Sequence, residues 1–131
     1  VLLDFGQYAN WNPFIQKIKG KAELGAQLEN SIHLPGKDAQ VFKPEVIMLK
    51  KNQHFAWRGM LFIKGLFDGE HHFRLIALPD GNTKLIHEEF FAGLLVKPIL
   101  KMVGEQTLQG FEAMNEALAK RLGTLYQATT P

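Results

Sequence analysis

The chain constrains its own folding most tightly between Glu70 and Phe91. Two runs of alternating side chains, Glu70-His71-His72-Phe73-Arg74-Leu75-Ile76-Ala77-Leu78 and Thr83-Lys84-Leu85-Ile86-His87-Glu88-Glu89-Phe90-Phe91, flank Pro79-Asp80-Gly81. Period-two alternation marks strands, and so short a separation makes them a hairpin. A two-residue Asp80-Gly81 turn would put Pro79 in the hydrogen-bonded pair that closes the hairpin, a place needing an N–H that proline lacks. A three-residue loop suits better, with Pro79 at the first corner of a type I turn and Gly81 in the left-handed position after it. Leu78 then faces Asn82, Phe73 faces His87, and His71 faces Glu89. Alternation sends His71, Phe73, Leu75 and Ala77 inward and Glu70, His72 and Arg74 to solvent. The second strand is ambiguous by itself, because Leu85, His87, Glu89 and Phe91 compete with Lys84, Ile86, Glu88 and Phe90. The turn decides for the first set, and a one-residue slip would reverse it.

The other elements follow from spacing and punctuation. Val1 to Tyr8 has a short helical pattern, and Asn12-Pro13 offers an N-cap with proline at the first helical position of a second short helix ending at Gly20. From Ala26 to Leu34 the pattern alternates, with Leu28, Ile32 and Leu34 on one face. Pro35-Gly36 turns the chain into a second strand over 40–49, where Pro44 implies an edge or a bulge. Phe55, Trp57, Gly59, Leu61 and Ile63 share the inward face of the next strand. Beyond Gly93 the pattern is helical to about Leu125, with a possible break at Gly104. Leu108, Phe111, Leu118, Leu122 and Leu125 form its packing stripe, and Asn115 lies on the same face.

Composition bounds the functional classes. A chain of 131 residues is naturally one domain, with no repeat or linker to argue for a second. Fifteen Lys plus Arg are scattered against thirteen Asp plus Glu, so nucleic-acid binding has no electrostatic footprint. The basic pairs Lys50-Lys51 and Lys120-Arg121 read as a turn and a helix end. With no cysteine, disulfide frameworks, thiol catalysis and thiolate metal sites are excluded. No apolar run approaches the ~20 residues of a membrane-spanning helix, and the expected location is the cytoplasm. There is no phosphate-binding glycine loop, nucleophile elbow or Ser-His-Asp set.

Taken in order, several short pieces carry a resemblance over nearly the whole chain. They are Trp11-Asn12-Pro13-Phe14-Ile15, Gly20 and Gly25, Phe42 and Pro44, Trp57 and Gly59, Gly69-Glu70-His71 with Phe73, Thr83 with His87, Glu89, Phe91 and Gly93, and Phe111 with Asn115. This set resembles the helix-grip superfamily of START, Bet v 1 and polyketide-cyclase-like domains, in its bacterial polyketide-cyclase-like branch. The resemblance implies an α+β fold in which a curved antiparallel sheet wraps a long carboxy-terminal helix, preceded here by two short helices. Such families begin with an additional strand, which is expected to be missing from this chain. The resemblance also implies a cavity between sheet and helix that binds hydrophobic small molecules such as lipids, sterols or polyketides.

The residues expected at that cavity are Trp57, His71, Phe73, His87, Glu89, Phe91, Phe111 and Asn115. His71 and Glu89 form the sharpest pair, since a carboxylate opposite an imidazole can orient the ring and tune it for proton transfer. On one reading they anchor a bound apolar molecule; on another they are the catalytic pair of a cyclase, aromatase or dehydratase. Simple mutual neutralisation would also account for the pairing, because buried charges need partners. Asn115 either bonds a ligand or ties the helix to the loop after Trp11-Asn12-Pro13. His71, His87 and Glu89 could be read as a 2-His-1-carboxylate set, but no metal or other cofactor is expected. Met48, Met60, Met102 and Met114 are read as packing.

Overall fold

The computed structural model describes residues 1–61 and 63–129. A 3-10 helix, Phe5–Asn10, comes first. Strands β1 (Ile15–Lys19), β2 (Glu29–Ile32), β3 (Gln40–Phe42), β4 (Glu45–Lys50), β5 (His54–Leu61), β6 (Phe67–Ala77) and β7 (Thr83–Ala92) follow, and helix α1 (Val96–Thr129) closes the chain. The strands pair antiparallel in two sheets, β1-β2-β3 and β4-β5-β6-β7, rather than one continuous sheet. Pro44 is the reason. Having no N–H, it interrupts the expected strand over 40–49 and splits it into β3 and β4, one in each sheet. Its carbonyl still accepts from Leu28 N–H at 2.7 Å, and Val46 N–H donates to Ala26 at 2.9 Å, so the sheets stay joined at that corner.

The β6–β7 hairpin has the register that its turn demands. Leu78 N–H donates to Asn82 at 2.8 Å, Gly81 N–H donates to Leu78 at 3.1 Å, and Gly81 takes a φ of +84°. The ladder pairs Phe73 with His87 and His71 with Glu89.

The expected second helix after Asn12-Pro13 is instead β1. Asn12 Oδ1 accepts from both Phe14 N–H and Ile15 N–H at 2.9 Å, the bonds it would make at a helix start. Here they close a turn into a strand. A bulge between Ile15 and Lys17 lets Ile15 and Ile18 both face the core, and that spacing of three imitates a helix in the sequence. Of the two expected short helices only the first has a counterpart, the 3-10 helix, which buries Phe5 and Tyr8 three positions apart. In the described residues β1 is thus the first strand.

The core gathers Tyr8, Phe14, Ile15, Ile18, Leu28, Val46, Phe55, Trp57, Phe73 and Met114. Helix α1 runs unbroken through Gly104. Its sheet-facing stripe passes through Val103, Thr107, Gly110, Phe111, Met114, Asn115 and Leu118, whereas Leu108 and Leu122 are exposed. The stripe includes a threonine, a glycine and an asparagine, so hydrophobicity alone displaces it toward the leucines. His72, expected in solvent, is on the outer face but only 8% exposed. His54 meets its ring at 2.9 Å, and Phe90 covers it edge-on.

Candidate functional site

A cavity of about 230 Å³ separates the inner face of the strands from the first half of α1. Its buried end is walled by Phe14, Asn30, Pro44, Trp57 and His71, and its helix side by Ile99, Leu100, Val103 and Thr107. Toward the opening stand Lys37, Asp38 and Gln40, all exposed, and Met60. Phe91 and Glu89 complete the β7 side.

The eight residues expected at the cavity divide into two layers. Trp57, His71, Glu89 and Phe91 line it. Phe73, His87, Phe111 and Asn115 do not; the first three touch His71 from behind, and Asn115 bonds His87. His71 stacks on Trp57 with centroids 4.8 Å apart, and His87 stacks on Phe111 at 4.4 Å. Phe73 touches both imidazoles. Flat apolar faces therefore fix both imidazole planes, and hydrogen bonds fix their rotation.

Those bonds form a line from cavity to helix. His71 Nε2 lies 2.7 Å from His87 Nε2 and His87 Nδ1 lies 2.7 Å from Asn115 Oδ1, while at the cavity end Glu89 Oε2 faces His71 Nδ1 at 3.5 Å, an ion-pair contact longer than a hydrogen bond. Proton counting limits the arrangement. An amide oxygen only accepts, so His87 donates from Nδ1 and, if neutral, must accept at Nε2. His71 then donates from Nε2. Turning the Asn115 amide over would reverse both donors, so that His87 donates from Nε2 and His71 accepts there. The orientation of the Asn115 amide is thus coupled to the tautomer of both rings.

Burial, and next the neighbouring His71 ring, pushes His87 down to about 4, against a smaller upward pull from the bond to Asn115. His87 is therefore the neutral member at physiological pH. Gly69, opposite Phe91, leaves the space that Glu89 occupies: a Cβ there would stand 2.8 Å from Glu89 Oε1. Among the described residues, no group of three histidine or acidic side chains is arranged to hold a metal ion.

Two participants were missed by sequence reasoning. Gly69 enters the sequence reading only within the resemblance, beside Glu70 and His71, with no role at the site. Asn30 was not weighed at all, although the alternation Leu28, Asn30, Ile32 puts it on the inward face. A polar residue inside an apolar alternation was the available signal.

Residues 1–123 match the family model described as polyketide cyclase / dehydrase and lipid transport. No curated protein matches the chain. Among solved structures, the protein of unknown function SA2116 from Staphylococcus aureus superposes with a TM-score of 0.68 at 12% identity, over 96% of this chain and 84% of that one. At that identity the likeness is one of fold.

Proposed function

The chain belongs to the polyketide cyclase/dehydrase and lipid transport family, and from that premise we propose that it binds an apolar small molecule, such as a lipid, polyketide or aromatic compound, in the cavity under α1. The observation that carries this reading is an apolar-walled space of about 230 Å³ with one ionisable pair, His71 and Glu89, at its inner wall. Apolar walls supply affinity by area removed from water, and a few placed polar groups supply orientation. Native mass spectrometry of the purified protein, followed by denaturation and extraction, tests it. A retained apolar compound is the expected result, and Glu89→Gln should weaken its binding if it offers Glu89 a donor. Unchanged affinity and stability in Glu89→Gln would remove Glu89 from the site.

A second reading, an enzyme of cyclase, aromatase or dehydratase type, is favoured by the line behind the pair. A group that only anchors a ligand has no need of hydrogen bonds behind it that fix its tautomer. In this reading Glu89 and His71 take a proton from carbon beside a carbonyl and return it to a departing hydroxyl. Turnover of a ketone substrate should collapse in both His71→Ala and Glu89→Gln, and activity surviving both would exclude the pair from catalysis. Among the described residues no helix is long and apolar enough to cross a membrane.

A further inference from the structure

We propose that the cavity takes its ligand polar end first, and that the carboxamide of Asn30 recognises that end as a neutral group carrying a hydrogen-bond donor beside an acceptor. A primary amide and an enolised β-diketone both have this form. The inference rests on the cavity being a ligand site, as proposed above, and adds the class of group that it selects.

Asn30 is on β2, paired with Ile18 of β1 and Phe42 of β3, at a place where a strand facing a core ordinarily carries a β-branched or aromatic side chain. It is fully buried in the cavity wall, and neither Nδ2 nor Oδ1 has a hydrogen-bond partner. Buried amides are almost always satisfied, so one left wholly unsatisfied calls for a partner from outside the chain. An amide presents a donor and an acceptor side by side, and the group that satisfies both carries the complementary pair.

Direction and charge follow from the surroundings. Phe14, Asn30, Trp57 and His71 are each at most 5% exposed, whereas Lys37 and Gln40, which also line the cavity, are exposed. The polar end of the ligand therefore goes to the buried wall, and its apolar remainder meets the apolar lining that includes Leu100 and Val103. His71 Nε2 is already bonded to His87, and its Nδ1 faces the Glu89 carboxyl at 3.5 Å. No unclaimed cation stands at the buried end among the described residues, and Glu89 is there, so a neutral head is favoured over a carboxylate.

Calorimetric titration of the full chain with octanamide, its N,N-dimethyl derivative and octanoate tests this, alongside thermal unfolding of the unliganded protein. The wild type should bind octanamide about tenfold or more tightly than the other two, the value of one or two hydrogen bonds. Asn30→Val should bring the amide and its dimethyl derivative within about twofold of each other and should melt higher when empty, because the unsatisfied amide is gone. Equal wild-type affinity for octanamide and its dimethyl derivative overturns the role of Asn30 while leaving the cavity as a ligand site. A lower melting temperature in Asn30→Val with the preference intact makes Asn30 structural and also overturns it. Should no probe bind and no apolar compound co-purify, the cavity reading itself falls, and this inference with it. If Asn30→Val does not fold, the wild-type comparison alone still decides.

Discussion

At the scale of single residues the site is a set of contacts in which each group restricts the next. Trp57 and Phe111 hold the two imidazole planes, Asn115 sets which nitrogen of His87 carries hydrogen, and Gly69 leaves room for Glu89. Gly69→Ala should accordingly act on Glu89 more than on folding. Gly69 does not need a left-handed backbone, and what an added methyl meets first is the end of a flexible side chain. We expect ligand affinity to fall toward that of Glu89→Gln while stability changes by less than about 1 kcal/mol, as read by titration and thermal unfolding. His87 gives a pH prediction. Held neutral in the fold but free to protonate when unfolded, it contributes stability fully above about pH 6.5, and this is lost as pH falls toward about 4. The full effect is at most about 3 kcal/mol. His87→Gln should therefore lose less stability than the wild type between neutral and acid pH in urea unfolding, and equal losses would show that His87 does not titrate as argued.

At the scale of elements, two devices position these residues. The first is the turn: Pro79 excludes a two-residue closure and Gly81 accepts φ +84°, and together they set the register that turns His71, His87 and Glu89 to the same side. The second is the approach of α1 to the start of β1. At Gly110 a Cβ would run into the Phe14 ring, so glycine lets the helix come close enough for Phe111 to reach the imidazoles and Asn115 to reach His87. Gly110→Ala raises helix propensity yet should destabilise by about 1–3 kcal/mol through overpacking against a buried ring. Chemical denaturation measures this directly, and a stabilised variant would mean that Phe14 can move aside without loss. Both devices are small residues whose effect is felt several residues away.

For the whole molecule, the two halves of α1 have different environments. Met114 and Leu118 pack into the core, whereas Ile99, Leu100, Val103 and Thr107 face the cavity. An unfilled apolar space gives its lining fewer partner atoms, so the first half of the helix should open locally at lower free energy than the second. Ligand that binds only the folded state stabilises it by mass action, about 2.7 kcal/mol at a hundredfold excess over Kd. Hydrogen exchange with and without a bound compound should show the largest gain in protection over 99–107, with little change in β5 and β6. Uniform protection across the chain would instead indicate that the cavity wall is already rigid.

Much of this was legible before any coordinates. Local chemistry specified the hairpin register, because proline and glycine limit the turn whatever surrounds it, and register alone put His71 opposite Glu89. The long helix and the α+β arrangement were equally readable, since their patterns extend over many residues. Features that depend on contact between distant segments were not. The Ile15 and Ile18 spacing reads as helix until a bulge against β2 makes it strand, and Pro44 reads as an irregular strand until its two sides join different sheets. Asn115 was legible as a polar residue on a packing face, but only the close approach at Gly110 bonds it to His87. Asn30 was visible in the alternation, yet its lack of any partner is a property of the assembled wall around it. The sequence by itself thus determined which side chains share a face, because that follows from backbone period and turn geometry. Tertiary structure alone decided which of them line the cavity and which stand behind it, because that depends on where the helix comes to rest.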